Sequence, residues 1–196
     1  MVFQYMFVLL LSCSLSDDAA TPPSPSAGDT AVAGDPADSW MESIDAAALP
    51  QASSPCREPV LVAVTYVVDG DTFYAQAPAR EEKIRVIGIN TPELGYQDDP
   101  ADCLAEESRS RAEELLSERR VWLTFDQECE DAYGRTLAYV HLGDDERDFF
   151  ERIMLQEGMA RAYPFDSTPT FSDLFQQDES AAQAEGAGGW SACGWQ

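Results

Sequence analysis

Residues 60–77 read VLVAVTYVVDGDTFYAQA. Residues 60–68 are an uninterrupted apolar run rich in β-branched side chains, which predicts a strand. Asp69-Gly70-Asp71 is a turn, and Thr72 opens a second strand over 72–77. Working outward, residues 78–82 make the next turn and 83–89 a third strand. Residues 102–120 form a helix that Asp102 can cap, with Leu104, Ala105, Ser108, Ala112, Leu115 and Leu116 at helical spacing. Strands follow at 121–125 and 136–142. A short helix over 148–156 turns Phe149, Ile153 and Met154 inward and ends before Gly158. A last helix covers 172–185. Three strands, a helix, two strands and two helices predict an α+β domain built on a small barrel.

The charge is strongly acidic. Across 196 residues there are 36 Asp and Glu against 12 Lys and Arg, a formal net charge of -24. Lys83 is the only lysine. Seven of the acidic residues and none of the basic ones precede Cys56, so residues 56–196 alone carry 29 acidic and 12 basic side chains. Such a chain repels polyanions at long range, which excludes a histone-like or basic-arm DNA binder. No apolar run reaches the roughly 18 residues that span a bilayer.

Residues 1–13 read MVFQYMFVLLLSC, a short apolar stretch followed by small residues. Leu10-Leu11-Ser12-Cys13 resembles a bacterial lipobox, in which the Cys carries a lipid. A cleaved secretion signal and a plain tail are the other two readings, and the stretch lacks a basic side chain at its start. Residues 14–55, rich in Ala, Ser, Pro and Asp, are expected to form a disordered spacer. Over about 42 residues a random coil reaches about 35 Å, a suitable tether between an anchor and a domain at 56–196. The expected location is therefore outside the cytoplasm, as a membrane-anchored lipoprotein or a secreted monomer.

Three clusters carry the chemistry: Val68-Asp69-Gly70-Asp71-Thr72, then residues 84–93 (IRVIGINTPE), then residues 131–139 (DAYGRTLAY). Each alone is an ordinary turn or strand start. In this order and spacing they resemble the staphylococcal nuclease (thermonuclease) family, over about residues 60–190. The resemblance implies an OB-type five-stranded barrel with three helices, and Ca2+-dependent hydrolysis of DNA and RNA phosphodiesters with cleavage of the 5′ P–O bond. It assigns Asp71 and Asn90 as metal ligands, with Thr91 adding its backbone carbonyl. Glu93 matches the group that positions or deprotonates the attacking water. Arg85 and Arg135 match the pair that grips the scissile phosphate, a task that suits the planar, permanently charged guanidinium. Tyr133, Tyr163 and Phe165 fall at nucleotide-contacting positions; for Tyr163 and Phe165 core packing is the other reading. Asp69 and Asp131 read as loop-ordering neighbours, and His141, the single histidine, as a strand residue.

Three departures from the family pattern stand out. Asn90 replaces a metal-binding aspartate, which removes one negative charge and lowers the expected calcium affinity. Ala132 stands where a basic residue is common, and Phe165 lacks a hydroxyl. With Cys13 set aside, four cysteines allow three pairings. In the resembled barrel the first strand runs antiparallel to the fourth, which implies Cys56–Cys129 and leaves Cys103–Cys193. The alternative to a nuclease is a catalytically silent OB-type module tethered at the surface and binding protein or a small ligand, or a purely structural lipoprotein domain.

Overall fold

In the computed structural model, which describes residues 36–97, 99–163 and 170–196, strand β1 (Val60–Val67) turns Val62, Val64 and Val67 inward. Simple alternation would bury Tyr66. The register against β2 (Thr72–Gln76) instead shifts between Val64 and Tyr66, and this bulge rotates Val67 into the core. β2 pairs antiparallel with β3 (Glu81–Val86). β3 runs parallel to β6 (Thr136–His141), which pairs antiparallel with β5 (Arg120–Thr124). β5 returns antiparallel to β1 and closes the barrel in the order β1-β2-β3-β6-β5. Phe73, Ile84, Val86, Val121, Leu123 and Val140 fill it, while Tyr139 faces outward onto Phe149, Phe171 and Phe175. Three longer helices, α1 (Ala105–Leu116), α2 (Phe150–Gln156) and α3 (Ser172–Glu185), and a short α4 (Gly189–Ala192) complete the α+β fold. None of the described helices is long and apolar enough to cross a membrane.

The strand expected over 83–89 is two strands. Gly88 has φ +85°, and a Cβ there would meet the Phe175 ring at 2.4 Å, so only glycine fits. The chain leaves the barrel at this point as β4 (Gly88–Asn90) and pairs antiparallel with β7 (Arg161–Tyr163), a strand too short to show a periodicity. The first helix is also shorter than expected. It starts after Leu104, at φ 67°, and Asp102 does not cap it. The Asp102 carboxylate instead accepts the Glu93 backbone N–H at 3.1 Å, while the Asp102 N–H donates to the Glu93 carbonyl at 3.0 Å.

The spacer expected over 14–55 is corrected over its last twenty residues. Short 3-10 turns at Pro36–Ser43 and Ala46–Ala48 lead a segment that buries Met41, Leu49 and Ala52. Trp122 Nε1 donates to the Met41 carbonyl at 2.9 Å, Thr124 Oγ1 to the Pro50 carbonyl at 3.1 Å, and Arg120 pairs with Glu42. Three apolar side chains suffice here because β5 offers them a matching surface. Both expected disulfides are present: Cys56–Cys129 joins the approach to β1 to the exit from β5, and Cys103–Cys193 joins the approach to α1 to the C-terminal tail. His141 is a buried strand residue, bonded through Nε2 to Thr124 Oγ1 at 2.8 Å. Residues 1–13 with Cys13, the earlier spacer, and Phe165 lie outside the described residues.

Candidate active site

The β1–β2 turn sets the site. Gly70 packs so closely on α1 and the strand-end loop that a Cβ would stand 2.3 Å from Ser108 Oγ and 2.6 Å from Thr91 Cγ2. This contact delivers Asp71, which is buried, to the Thr91 backbone. Asp71 Oδ2 accepts Thr91 N–H at 2.9 Å and Thr91 Oγ1 at 3.0 Å, and Oδ1 accepts Thr72 Oγ1 at 3.1 Å. The Asp71 backbone N–H is in turn held by Asp69 Oδ1 at 3.1 Å.

Arg85, on β3 opposite Thr72, is buried beside it. Its Nε lies 3.3 Å from Asp71 Oδ1, Nη1 donates to the Val86 carbonyl and, at 3.0 Å, to that of Ile89, and Nη2 donates to Asn90 Oδ1 at 2.9 Å. Asn90 Nδ2 reaches the Thr91 carbonyl at 3.4 Å. Arg135 arrives from the loop before β6. Asp131 holds it through Nε at 2.6 Å and through its backbone N–H at 3.0 Å. Burial alone would raise the Asp131 carboxyl, but the hydrogen bonds from Arg135 and the Tyr133 N–H outweigh it and hold it below its usual value.

These segments converge on one cleft of about 220 Å³, lined by Asp69, Asp71, Thr72, Arg85, Asn90, Glu93, Arg135 and Tyr163. Thr91 stands behind it, buried, with its hydroxyl turned to Asp71. Tyr163 is 48% exposed, which excludes core packing. Tyr133 is 86% exposed and does not line the cleft; its ring lies 5.6 Å from the Arg135 guanidinium. Burial, reinforced by the negative charges of Asp71 and Asp69, holds the Glu93 carboxyl above its usual range against the opposing pull of Arg85. Asp69 is raised for the same reasons, burial first and Asp71 second.

Such crowding of carboxylates stabilises a bound cation, and every donor in the cleft that could bind one is oxygen. That set fits a hard divalent ion such as calcium. Among the described residues no three His, Cys, Asp or Glu side chains form a metal cage by themselves, so amide, carbonyl and water oxygens must complete the shell. Beside this anionic wall stand two guanidinium groups able to take phosphate oxygens. The arrangement is suited to stabilising charge on a phosphodiester while a carboxylate handles water. Two residues carry more than the sequence suggests. Asp69 lines the cleft itself, and Asp102 fixes the Glu93 backbone, although in sequence it looks like a helix cap.

Residues 83–192 match the Staphylococcal nuclease homologue family model. The match begins within β3, so it covers Arg85, Asn90, Thr91, Glu93 and Arg135 and leaves Asp71 just outside. The chain is 34% identical to a thermonuclease of Staphylococcus intermedius over 127 residues, 65% of this chain and 74% of that one. It is 31% identical to a thermonuclease of Staphylococcus hyicus over 65% of this chain and 74% of the relative. Endonuclease YncB of Bacillus subtilis (strain 168) is 29% identical over 69% of this chain and 64% of its own length.

Proposed function

The chain belongs to the staphylococcal nuclease family and is a nuclease, and on that premise we propose that it hydrolyses DNA and RNA phosphodiesters with calcium, through Arg85, Glu93 and Arg135. The observation that carries this reading is the single cleft in which both guanidinium groups stand beside Asp69, Asp71 and Glu93.

Phosphodiester hydrolysis accumulates negative charge on the non-bridging oxygens as water attacks phosphorus in line with the leaving oxygen. Arg135, reached from solvent and braced by Asp131, binds those oxygens. Arg85 binds them from the barrel side. Glu93 takes a proton from the attacking water as the P–O bond to the 5′ oxygen breaks, and that oxygen takes a proton from solvent and leaves as a hydroxyl. Its raised proton affinity, caused by burial and its acidic neighbours, suits a general base. Asp102 keeps Glu93 in place through two backbone hydrogen bonds. Tyr163 offers its ring to the nucleoside.

Asp71, Asn90 and the Thr91 carbonyl are the groups that would hold calcium, which when bound supplies positive charge beside the phosphate. Asn90 Oδ1 is also the acceptor for Arg85 Nη2. Giving that oxygen to a cation therefore turns Nη2 toward other acceptors. The Cys56–Cys129 and Cys103–Cys193 disulfides support an exported location, since such bonds persist outside the reducing cytoplasm.

A DNA zymogram tests the core of the reading. Clearing is expected with calcium and none with a chelator, and neither Arg135→Ala nor Glu93→Gln should clear. Clearing by both variants at the wild-type rate would refute the roles given to Arg135 and Glu93, and no clearing by the wild type with calcium would return the catalytically silent module as the better description.

A further inference from the structure

A second cavity, of about 310 Å³, adjoins the catalytic cleft. Asn90 lines both, so the two share a wall at that residue. Thr91, the Cys103–Cys193 disulfide, Trp195 and Arg161 also line it. We propose that this cavity is a substrate subsite for a nucleotide outside the cleavage position, with Trp195 as the stacking platform for its base and Arg161 as the cation for its phosphate. The proposal rests on the nuclease reading and extends it.

The β4–β7 ribbon explains the placement. Asn90 pairs with Arg161 and Gly88 with Tyr163. Arg161 and Tyr163, two apart on β7, share a face of the ribbon. One strand thus presents an aromatic ring to the catalytic cleft and a guanidinium to its neighbour. A polynucleotide threading the cleft past Tyr163 meets Arg161 next.

Trp195 is held in advance. Its indole lies on Gly189, where a Cβ would stand 2.5, 2.5 and 2.6 Å from Cε2, Cζ2 and Cδ2. Three ring atoms at nearly one distance mean that a face of the indole rests on the glycine. The Trp190 ring meets it edge-on, with centroids 5.6 Å apart and planes at 83°. The tail that carries it is fixed by the Cys103–Cys193 disulfide and by Arg161 Nη2, which donates to the Gln196 carbonyl at 2.9 Å. A ring fixed by packing and a covalent link loses little freedom when a base stacks on it.

The charges also sort the ligand. Asp102 is the carboxylate on this wall, and its Oδ2 is already bonded to the Glu93 N–H. Arg161 is about half exposed and sits 3.9 Å from Glu179 Oε1, a loose pair that a phosphate can compete with. A cavity of this volume lies at the small end of ligand sites and holds about one nucleotide.

The test is steady-state kinetics of the full chain with calcium on two substrates. One is a nitrophenyl phosphodiester of a single nucleoside, which ends at the catalytic cleft. The other is a single-stranded DNA of about ten nucleotides, long enough to fill neighbouring base-stacking sites. Trp195→Leu is expected to raise KM on the oligonucleotide about tenfold, the scale of one lost stack, and to leave kcat and the small substrate unchanged. Trp195→Phe should keep most of the wild-type KM, and Arg161→Gln should raise it, most strongly at low salt. Equal loss on both substrates would overturn the proposal, because the tail would then only support the catalytic cleft. So would wild-type KM in Trp195→Leu, or a Phe variant no better than the Leu variant. If the wild-type protein cleaved neither substrate, the nuclease reading itself would fall and the subsite with it.

Discussion

Arg85 and Arg135 reach the same cleft with different commitments to the fold. Arg85 is buried and its guanidinium serves Asp71, Asn90 and two backbone carbonyls, whereas Arg135 is about a quarter exposed and braced by Asp131. Arg135→Ala is therefore expected to lower kcat about 100- to 1000-fold with unfolding unchanged. Arg85→Ala should lower kcat to a similar degree and also destabilise the protein by about 3–5 kcal/mol, because it strands a buried carboxylate. Parallel rate measurements and urea melts separate the two. Equal stability of the two variants would show that Arg85 is not part of the fold. Asn90→Asp adds an anionic oxygen between Arg85 and the Thr91 carbonyl. It is expected to lower the calcium concentration for half-maximal rate; an increase would show that Arg85 captures the new carboxylate.

At the level of elements, α2 and β6 bring two titratable groups into the core with opposite consequences. Glu151 of α2 is fully buried and accepts the Val140 N–H at 3.1 Å. Burial raises its carboxyl well above the usual range, so the folded chain keeps a proton that the unfolded chain releases. Its contribution is complete below about pH 4.3, near the unfolded carboxyl value, and is lost as pH rises toward the folded one. His141 of β6 is pushed down to about 3 by burial. Below about pH 6.5 the unfolded chain binds a proton that the folded one refuses, so this contribution is lost as pH falls. Glu151→Gln keeps the acceptor and removes the ionisation. It should gain stability on the wild type as pH rises from 5 to 8, by at most about 1.4 kcal/mol per pH unit. Urea melts at several pH values would show it, and a constant gap would refute it. The segment before β1 is testable in the same way. Met41→Ala is expected to cost about 2–5 kcal/mol, as for other buried methionines. No change in the melt would mean that residues 36–55 do not belong to the domain.

The whole molecule is acidic, with 36 carboxylates against 12 basic side chains, yet its substrate is a polyanion. Affinity therefore depends on local cations set in a repulsive field. Moderate salt screens the long-range repulsion before it weakens short contacts to phosphate. With calcium saturating, kcat/KM on DNA is expected to stay flat or rise from low to moderate NaCl. A steep monotonic fall from the lowest salt would indicate the counterion release of a basic surface. The disulfides act at the same scale. Cys56–Cys129 closes a loop with a sequence separation of 73, so its removal should cost about 2–5 kcal/mol.

Some of this was set by local sequence. The β-branched run at 60–68, the Asp69-Gly70-Asp71 turn and the helical spacing over 172–185 each act within a few residues, and each element formed where its pattern predicts. The motif order placed Arg85, Glu93 and Arg135 in one site because the resembled barrel brings those strand ends together. What tertiary structure alone decided are contacts between distant segments. Phe175 makes Gly88 obligatory and breaks the third strand. Glu93 draws Asp102 away from the helix it would cap. β5 gives Met41 and Leu49 a surface to bury against, so a segment with the composition of a tether folds. Trp195 gains its platform from Gly189 and its anchor from Cys103, which is 92 positions away. No local pattern encodes these contacts, because their free energy arises only when the barrel has closed and brought the partners within reach.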